Sequence, residues 1–273
     1  MYIDNVRING SESAGIPNKS SWGERYINKS TYATDGTFQG QMDDFRIYDR
    51  ALSAAEVEKL YLEGSDRGLV AYYKFDGDLT DETTDNADLS VVNSLNGYSF
   101  VDDYINVTGD TRLQIPKTIL TEGQTELTIS FWCAKISGTT ITGNHIIRYK
   151  PTNLMIRYNY QSNGEINLLM EGKDAYYTID LTQDTFTHLL FTVNGETYKI
   201  FVNGKEVNWT SISGDSTMDS NGFTHGTSSD KFEFFNNPGA STDFRGKIKN
   251  FRIYNRALSA TEIDKLYNKN NNY

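Results

Sequence analysis

The chain has 273 residues, enough for one large domain or two ordinary ones, and carries a net charge of −10. Its acidic residues are scattered and no basic patch stands against them, which argues against a phosphate-backbone ligand; no apolar run approaches the ~18 residues that span a membrane. Hydrophobic residues make up only 37%, but aromatics reach 13%, and large rings fill a core with fewer residues.

The opening "MYIDNVRING" has neither the basic start nor the apolar stretch of a secretory signal. Trp22 follows in "KSSWGERY", a polar, turn-rich stretch where a ring suits a sugar ligand; packing is the competing reading. Residues 45–61 then read "FRIYDRALSAAEVEKLY". Phe45 and Ile47 alternate with Arg46 and Tyr48, the period of a half-buried strand. Ser53 and Glu56 have the spacing of a capping box, and Leu52 and Val57 that of a hydrophobic staple, so a short helix follows the strand. Residues 64–67 read as a linker, and a β-rich stretch opens at Gly68 with "GLVAYYKFDGDL".

Beyond that point, runs rich in Ile, Val, Phe and Tyr predict strands over 69–75, 98–101, 104–107, 127–136, 145–149, 154–158, 166–170, 175–179, 188–193, 198–202, 231–235 and 247–254. The acidic segment "FDGDLTDETTDNAD" offers oxygen ligands of the kind calcium takes, with Asp76 and Asp78 the first choice; a solvated turn is the alternative. Cys133 is the only cysteine, which rules out an internal disulfide and reads as a small buried hydrophobe. Tyr176 and Tyr177 in "KDAYYTID" and Trp209 in "KEVNWTSISGD" join Trp22 as candidate sugar-facing rings, again against packing. Asn194-Gly195 and Asn203-Gly204 are residues of tight primed turns, so 192–207 reads as two hairpins. His145, His188 and His225 sit in unrelated segments with no serine elbow, and His188 reads as a core histidine. Glu233 is a lone acid on its strand, and no Glu-x-Asp-x-x-Glu strand of paired carboxylates occurs.

The chain closes on "FRIYNRALSATEIDKLY" at 251–267, a near copy of 45–61. Ser259, Glu262, Leu258 and Ile263 repeat the capping box and the staple. The opening residues align as well, with Tyr2 on Phe201, Ile3 on Val202 and Asp4 on Asn203. Residues 1–63 therefore correspond to the last part of a domain, and 68–273 to a complete copy. A few strands without their neighbours leave open sheet edges, so residues 1–63 call for completion by another chain or a longer parent chain.

"GLVAYYKFDGDLTDE", "FTHLLFTVNGETYKIFVNGKEV" and "FRGKIKNFRIYNRALSATEIDKLY" resemble the opening strand, central hairpin and closing strand-helix of laminin G-like, concanavalin A-like jelly rolls. Phe186-Thr187-His188 departs from the Trp-His pair usual in that hairpin. The resemblance implies an all-β, two-sheet jelly-roll sandwich with a short capped C-terminal helix, preceded by the C-terminal fragment of a second copy. It also implies a non-catalytic adhesion or assembly module of a virion appendage or an extracellular surface protein, with glycans or other protein subunits as partners and no nucleic acid. The alternatives are a glycan-binding lectin module of a secreted bacterial protein and a polysaccharide hydrolase, since this fold hosts both.

Overall fold

The computed structural model describes residues 66–94, 97–121, 123–136, 144–149, 154–158, 164–170, 173–195, 197–213, 231–235 and 244–271, and residues 2, 3, 6, 7, 40, 45–54, 56, 57 and 60 nearer the N-terminus. The chain divides into two compact units, Met1–Gly64 and Ser65–Tyr273.

In the first unit, β1 (Tyr2–Ile3) and β2 (Val6–Arg7) form a hairpin with Ile3 opposite Val6 and Tyr2 opposite Arg7. Further along, the capping box of the first closing motif is formed. The Ser53 N–H donates to Glu56 at 2.8 Å, and the Glu56 N–H donates back to Ser53 Oγ at 3.3 Å. Arg50, not anticipated from the sequence, grips the same carboxylate from outside with both terminal guanidinium nitrogens.

The second unit is two packed antiparallel sheets, as an alternation of apolar and polar residues with one buried face per sheet demands. One sheet has the order β15-β14-β13-β8-β18-β6-β5, with β3 also paired to β18. Its strands are β3 (Leu69–Tyr73), β5 (Tyr98–Val101), β6 (Tyr104–Val107), β8 (Glu126–Lys135), β13 (Thr187–Asn194), β14 (Thr197–Val202), β15 (Lys205–Val207) and β18 (Gly246–Tyr254). The other runs β16-β12-β11-β10-β9-β17-β7-β4. It consists of β4 (Ser90–Ser94), β7 (Thr111–Gln114), β9 (Asn144–Tyr149), β10 (Leu154–Tyr158), β11 (Glu165–Met170), β12 (Lys173–Thr178), β16 (Ser211–Ser213) and β17 (Phe232–Phe234).

The core lies between the sheets. Phe131, Phe191 and Phe251 from the first sheet meet Ile156, Leu168 and Phe234 from the second. Phe131 stacks on Phe251 at 5.3 Å, and Phe234 meets Phe251 edge-on at 4.9 Å. Helix α1 (Ala260–Asn271) covers the outer face of the first sheet, where Leu258, Ile263 and Leu266 join Leu190, Phe201 and Tyr254 in a second buried cluster. Burying such a cluster stabilises the helix far more than its own propensity does. No described helix is long and apolar enough to cross a membrane.

The two-sheet sandwich and the capped closing helix stand as the resemblance implies. Asn203 has φ 50° and Gly204 φ 76°, the left-handed pair that a two-residue primed turn requires. A side chain on Gly204 would also run into the ring of Tyr267, so this turn is where the hairpin and α1 close on one another.

Candidate functional site

The outer face of the second sheet carries the feature that sequence reading missed. Along each of its central strands, every second residue faces the core, so the intervening residues point outward. Register aligns them into a row across the sheet: Gln114, Glu233, Arg148, Met155, Leu169 and Asp174. An adjoining row holds His145, Arg157, Asn167 and Tyr176. An outward face of ordinary solvated residues would be exposed, yet Arg157 is only 5% exposed, and His145, Asn167, Tyr176 and Glu233 are buried too.

Buried charges need partners, and these have them. Arg157 Nε donates to Asn167 Oδ1 at 2.6 Å, and its Nη2 pairs with Asp174 at 2.9 Å. Asn167 Nδ2 donates to the same Asp174 oxygen at 3.0 Å and to the Ala175 carbonyl at 3.1 Å. Three strands are thus cross-linked by one arginine-centred network. Two strands over, Arg112 pairs with Glu233. The Nε groups of Arg112 and Arg148 are buried and find no hydrogen-bond acceptor among the described residues. Such orphaned donors invite an acceptor from outside. In sequence each residue looked like a single polar position on a half-buried strand. Their one common signal was arginine at matching places in "HIIRY" and "LMIRY", in the middle of otherwise apolar strands.

The aromatic candidates fall in different places. Tyr176 lies on this face. Tyr177 stands opposite Ile166 and packs against the core. Trp209 packs there as well; its indole N–H donates to the Tyr198 carbonyl at 2.9 Å and its ring stacks on Phe191. Trp22 lies outside the described residues, as does His225. His188 is buried, as its core reading expects, with Nε2 2.9 Å from Ser130 Oγ.

The acidic segment folds around Asp81 rather than around Asp76 and Asp78, which are exposed. The buried Asp81 carboxylate accepts from the N–H groups of Tyr72, Thr83 and Ala87 at 2.9, 3.1 and 2.9 Å, and from the Thr83 hydroxyl at 2.7 Å. Asp78 accepts from the Thr80 N–H, and Asp88 from the Asp81 N–H. Among the described residues no three His, Cys, Asp or Glu side chains gather to hold a metal.

The chain belongs to the concanavalin A-like lectin/glucanases superfamily, whose family model matches residues 1–58 and 107–264. Among solved structures it is similar to domain 4 of AbnA, an extracellular arabinanase from Geobacillus stearothermophilus solved with arabinotriose. The TM-score is 0.55 at 19% identity, covering 73% of this chain and 98% of that one. It is also similar to the binding domain of botulinum neurotoxin serotype D, with TM-score 0.52, 14% identity, and 76% and 51% of the two chains covered. Trypanosoma rangeli sialidase gives 0.53 at 16%, covering 75% of this chain and 33% of that enzyme. Identities this low carry the fold alone. No curated protein matches in sequence.

Proposed function

We propose that residues 68–273 form a non-catalytic, glycan-binding module of an extracellular or virion-surface protein, used for adhesion or assembly. The observation that carries this reading is the double row of polar groups on the outer face of the second sheet, with two arginine donors left unpaired. A saccharide presents many hydroxyl acceptors to such donors, and the half-buried Leu169 supplies apolar surface in the same row as Arg148. A domain of the same fold, AbnA domain 4, holds arabinotriose, and the arabinanase it belongs to is extracellular.

The same face speaks against hydrolysis. Retaining glycosidases need two carboxyl groups about 5–5.5 Å apart and inverting ones about 6.5–9.5 Å. By register, Asp174 and Glu233 are four strands apart, about 19 Å between backbones, and Glu165 lies about 14 Å from Asp174. Asp174 and Glu233 are each already bound to an arginine.

Residues 1–63 are read as the closing part of a second sandwich, completed by another chain or a longer parent chain, with 64–67 as linker. Two likenesses support this. The β1-β2 pair has the register of β14-β15, with Ile3 opposite Val6 as Val202 is opposite Lys205. The Arg50–Glu56–Ser53 arrangement also matches that of Arg256, Glu262 and Ser259.

The test is a glycan array followed by calorimetry with arabinotriose and the best array ligand. Arg148→Ala is expected to weaken the best ligand about tenfold, or about 1.4 kcal/mol, with the fold unchanged. No saccharide bound, or equal binding by the variant, would refute the reading. Release of reducing sugar would turn it toward hydrolysis.

A further inference from the structure

On the outer face of the first sheet, α1 begins at Ala260 and runs toward Gly204 and Trp132, where Tyr267 packs. Beside its first turn, over β13, β14 and β15, lies a cavity of about 380 Å³, within the ~300–1,000 Å³ of small-ligand pockets. Register builds it. Phe191, Val193, Tyr198 and Ile200 face the core, so the residues between them face outward. Thr192 then stands opposite Lys199, Asn194 opposite Thr197, and Phe201 opposite Glu206, and all six line the cavity. Residues 257–260 form its wall. That wall is pinned from β8: Glu126 accepts from the Ala257 N–H at 3.2 Å, and Thr128 Oγ1 accepts from the Leu258 N–H at 3.0 Å.

Two features of the lining call for a ligand. Thr192 is only 5% exposed, yet its hydroxyl has no hydrogen-bond partner among the described residues; Thr128, its register partner, both donates and accepts. A polar group so buried ordinarily has a partner. The lining is also balanced. Lys199 and Glu206 pair at 3.0 Å on the rim and are both about half exposed, so ammonium and carboxylate keep hydrogen-bonding capacity to spare. Asn194 and Thr197 each donate and accept, and the buried Phe201 and Leu258 supply an apolar floor. Although a helix starts here, an anion does not fit. Glu206 stands on the rim, and Glu262 already accepts from the Ser259 N–H and hydroxyl, both at 2.8 Å. A cation meets Lys199 in turn. A neutral molecule dense in hydroxyl groups, with a C–H face to lay on the floor, meets neither objection.

We infer that this cavity is a second binding site, which takes a single neutral sugar unit. Thr192 Oγ1 bonds a hydroxyl at the floor, and the Lys199–Glu206 pair takes neighbouring hydroxyls at the rim. The site stands on the other sheet from the arginine-bearing face and does not depend on it. With both occupied, the module holds glycans on opposite sides of the sandwich.

Two-dimensional ¹H–¹⁵N NMR of the full chain reads the site residue by residue. The probes are the methyl glycosides of glucose, galactose, mannose and arabinose at millimolar concentrations, with sodium sulfate as the anionic control. The expected result is a saturable shift of the Thr192, Thr197 and Ala260 amides with at least one sugar. Thr192→Val keeps the shape, suits a strand and removes the hydroxyl, so it should weaken that sugar about tenfold. Glu206→Gln, at an exposed position, should weaken it about threefold with the fold unchanged. Equal binding by wild type and Thr192→Val would overturn the inference. Stronger shifts with sulfate than with any sugar would make this an anion site and overturn it too, as would no shift at these amides with any probe. Shifts on β9, β10 and β17 report the arginine-bearing face separately, so either site can fail alone.

Discussion

His188 sits where β13, β8 and α1 meet, and its chemistry makes the packing there measurable. It is fully buried, with Nε2 2.9 Å from Ser130 Oγ and no partner for Nδ1 among the described residues. Its ring lies 5.1 Å from Trp132 and 5.7 Å from Tyr267, which themselves stack. Burial, and after it the positive charge of Arg252, holds its pKa down to about 3 from the usual 6.5. Between those values the unfolded chain takes up a proton that the folded chain refuses. The stability contributed is therefore whole above pH 6.5 and falls by about 1.4 kcal/mol for each unit of acidification. From pH 6.5 to pH 5 the expected loss is about 2 kcal/mol. A His188→Gln variant can keep a hydrogen bond to Ser130 but cannot titrate, so over the same window it should lose about 2 kcal/mol less than the wild type. Urea unfolding at pH 7.5, 6.5, 5.5 and 5 reads this directly, and comparing two proteins cancels the carboxylates that titrate in both. Parallel pH profiles would refute the reasoning, as would an NMR titration of the native imidazole with a midpoint near 6.5.

The closing motif gives a second pH test. Burial alone would raise the Glu262 pKa, but the Arg256 hydrogen bond and the donors of Ser259 outweigh it and hold it at about 2. Glu262→Gln keeps the capping geometry and loses the ion pair, so it should cost about 1 kcal/mol at pH 7 after allowance for solvent screening. That gap should close as pH falls from 4.5 toward 2, and a gap still open at pH 2 would count against the clamp. At the acidic segment, Asp81→Asn replaces an acceptor oxygen with a donor among four converging donors, and should cost about 2–3 kcal/mol in thermal unfolding. Amide exchange at Tyr72 and Ala87 should speed up with it, and unchanged protection there would mean that the turn is held by something else.

Strands with several alternating apolar residues were legible almost to the residue: 127–136 was expected and Glu126–Lys135 is observed. The strands not foreseen have no such pattern. β4 leaves Val91 and Val92 both exposed, β7 has one buried apolar residue, and β16 is exposed throughout. They form because a neighbouring strand offers a ladder, which no local pattern records. The outer-face rows were illegible for a related reason. Arg112, Arg148 and Glu233 come from three distant segments, and only strand order makes them neighbours. Trp209 misleads in the opposite way. Its polar surroundings in sequence suggest exposure, yet the strand it follows brings one large ring back over Phe191 and supplies a carbonyl for its N–H.

The doubled motif separates what a sequence decides locally from what it delegates to its surroundings. The Ser-x-x-Glu cap forms in both units, at 2.8 Å in each, because its donors and acceptors lie within three residues of one another. The arginine three residues before the cap reaches the same glutamate in both, so it belongs to the local unit too. "FRIY" behaves otherwise. Flanked by β3 and β8 it is a buried strand; in the first unit, without such neighbours among the described residues, the same four letters leave Phe45 and Ile47 exposed. A strand's hydrogen bonds and apolar face are both satisfied by other strands, so its sequence can specify a strand only together with the sheet that receives it.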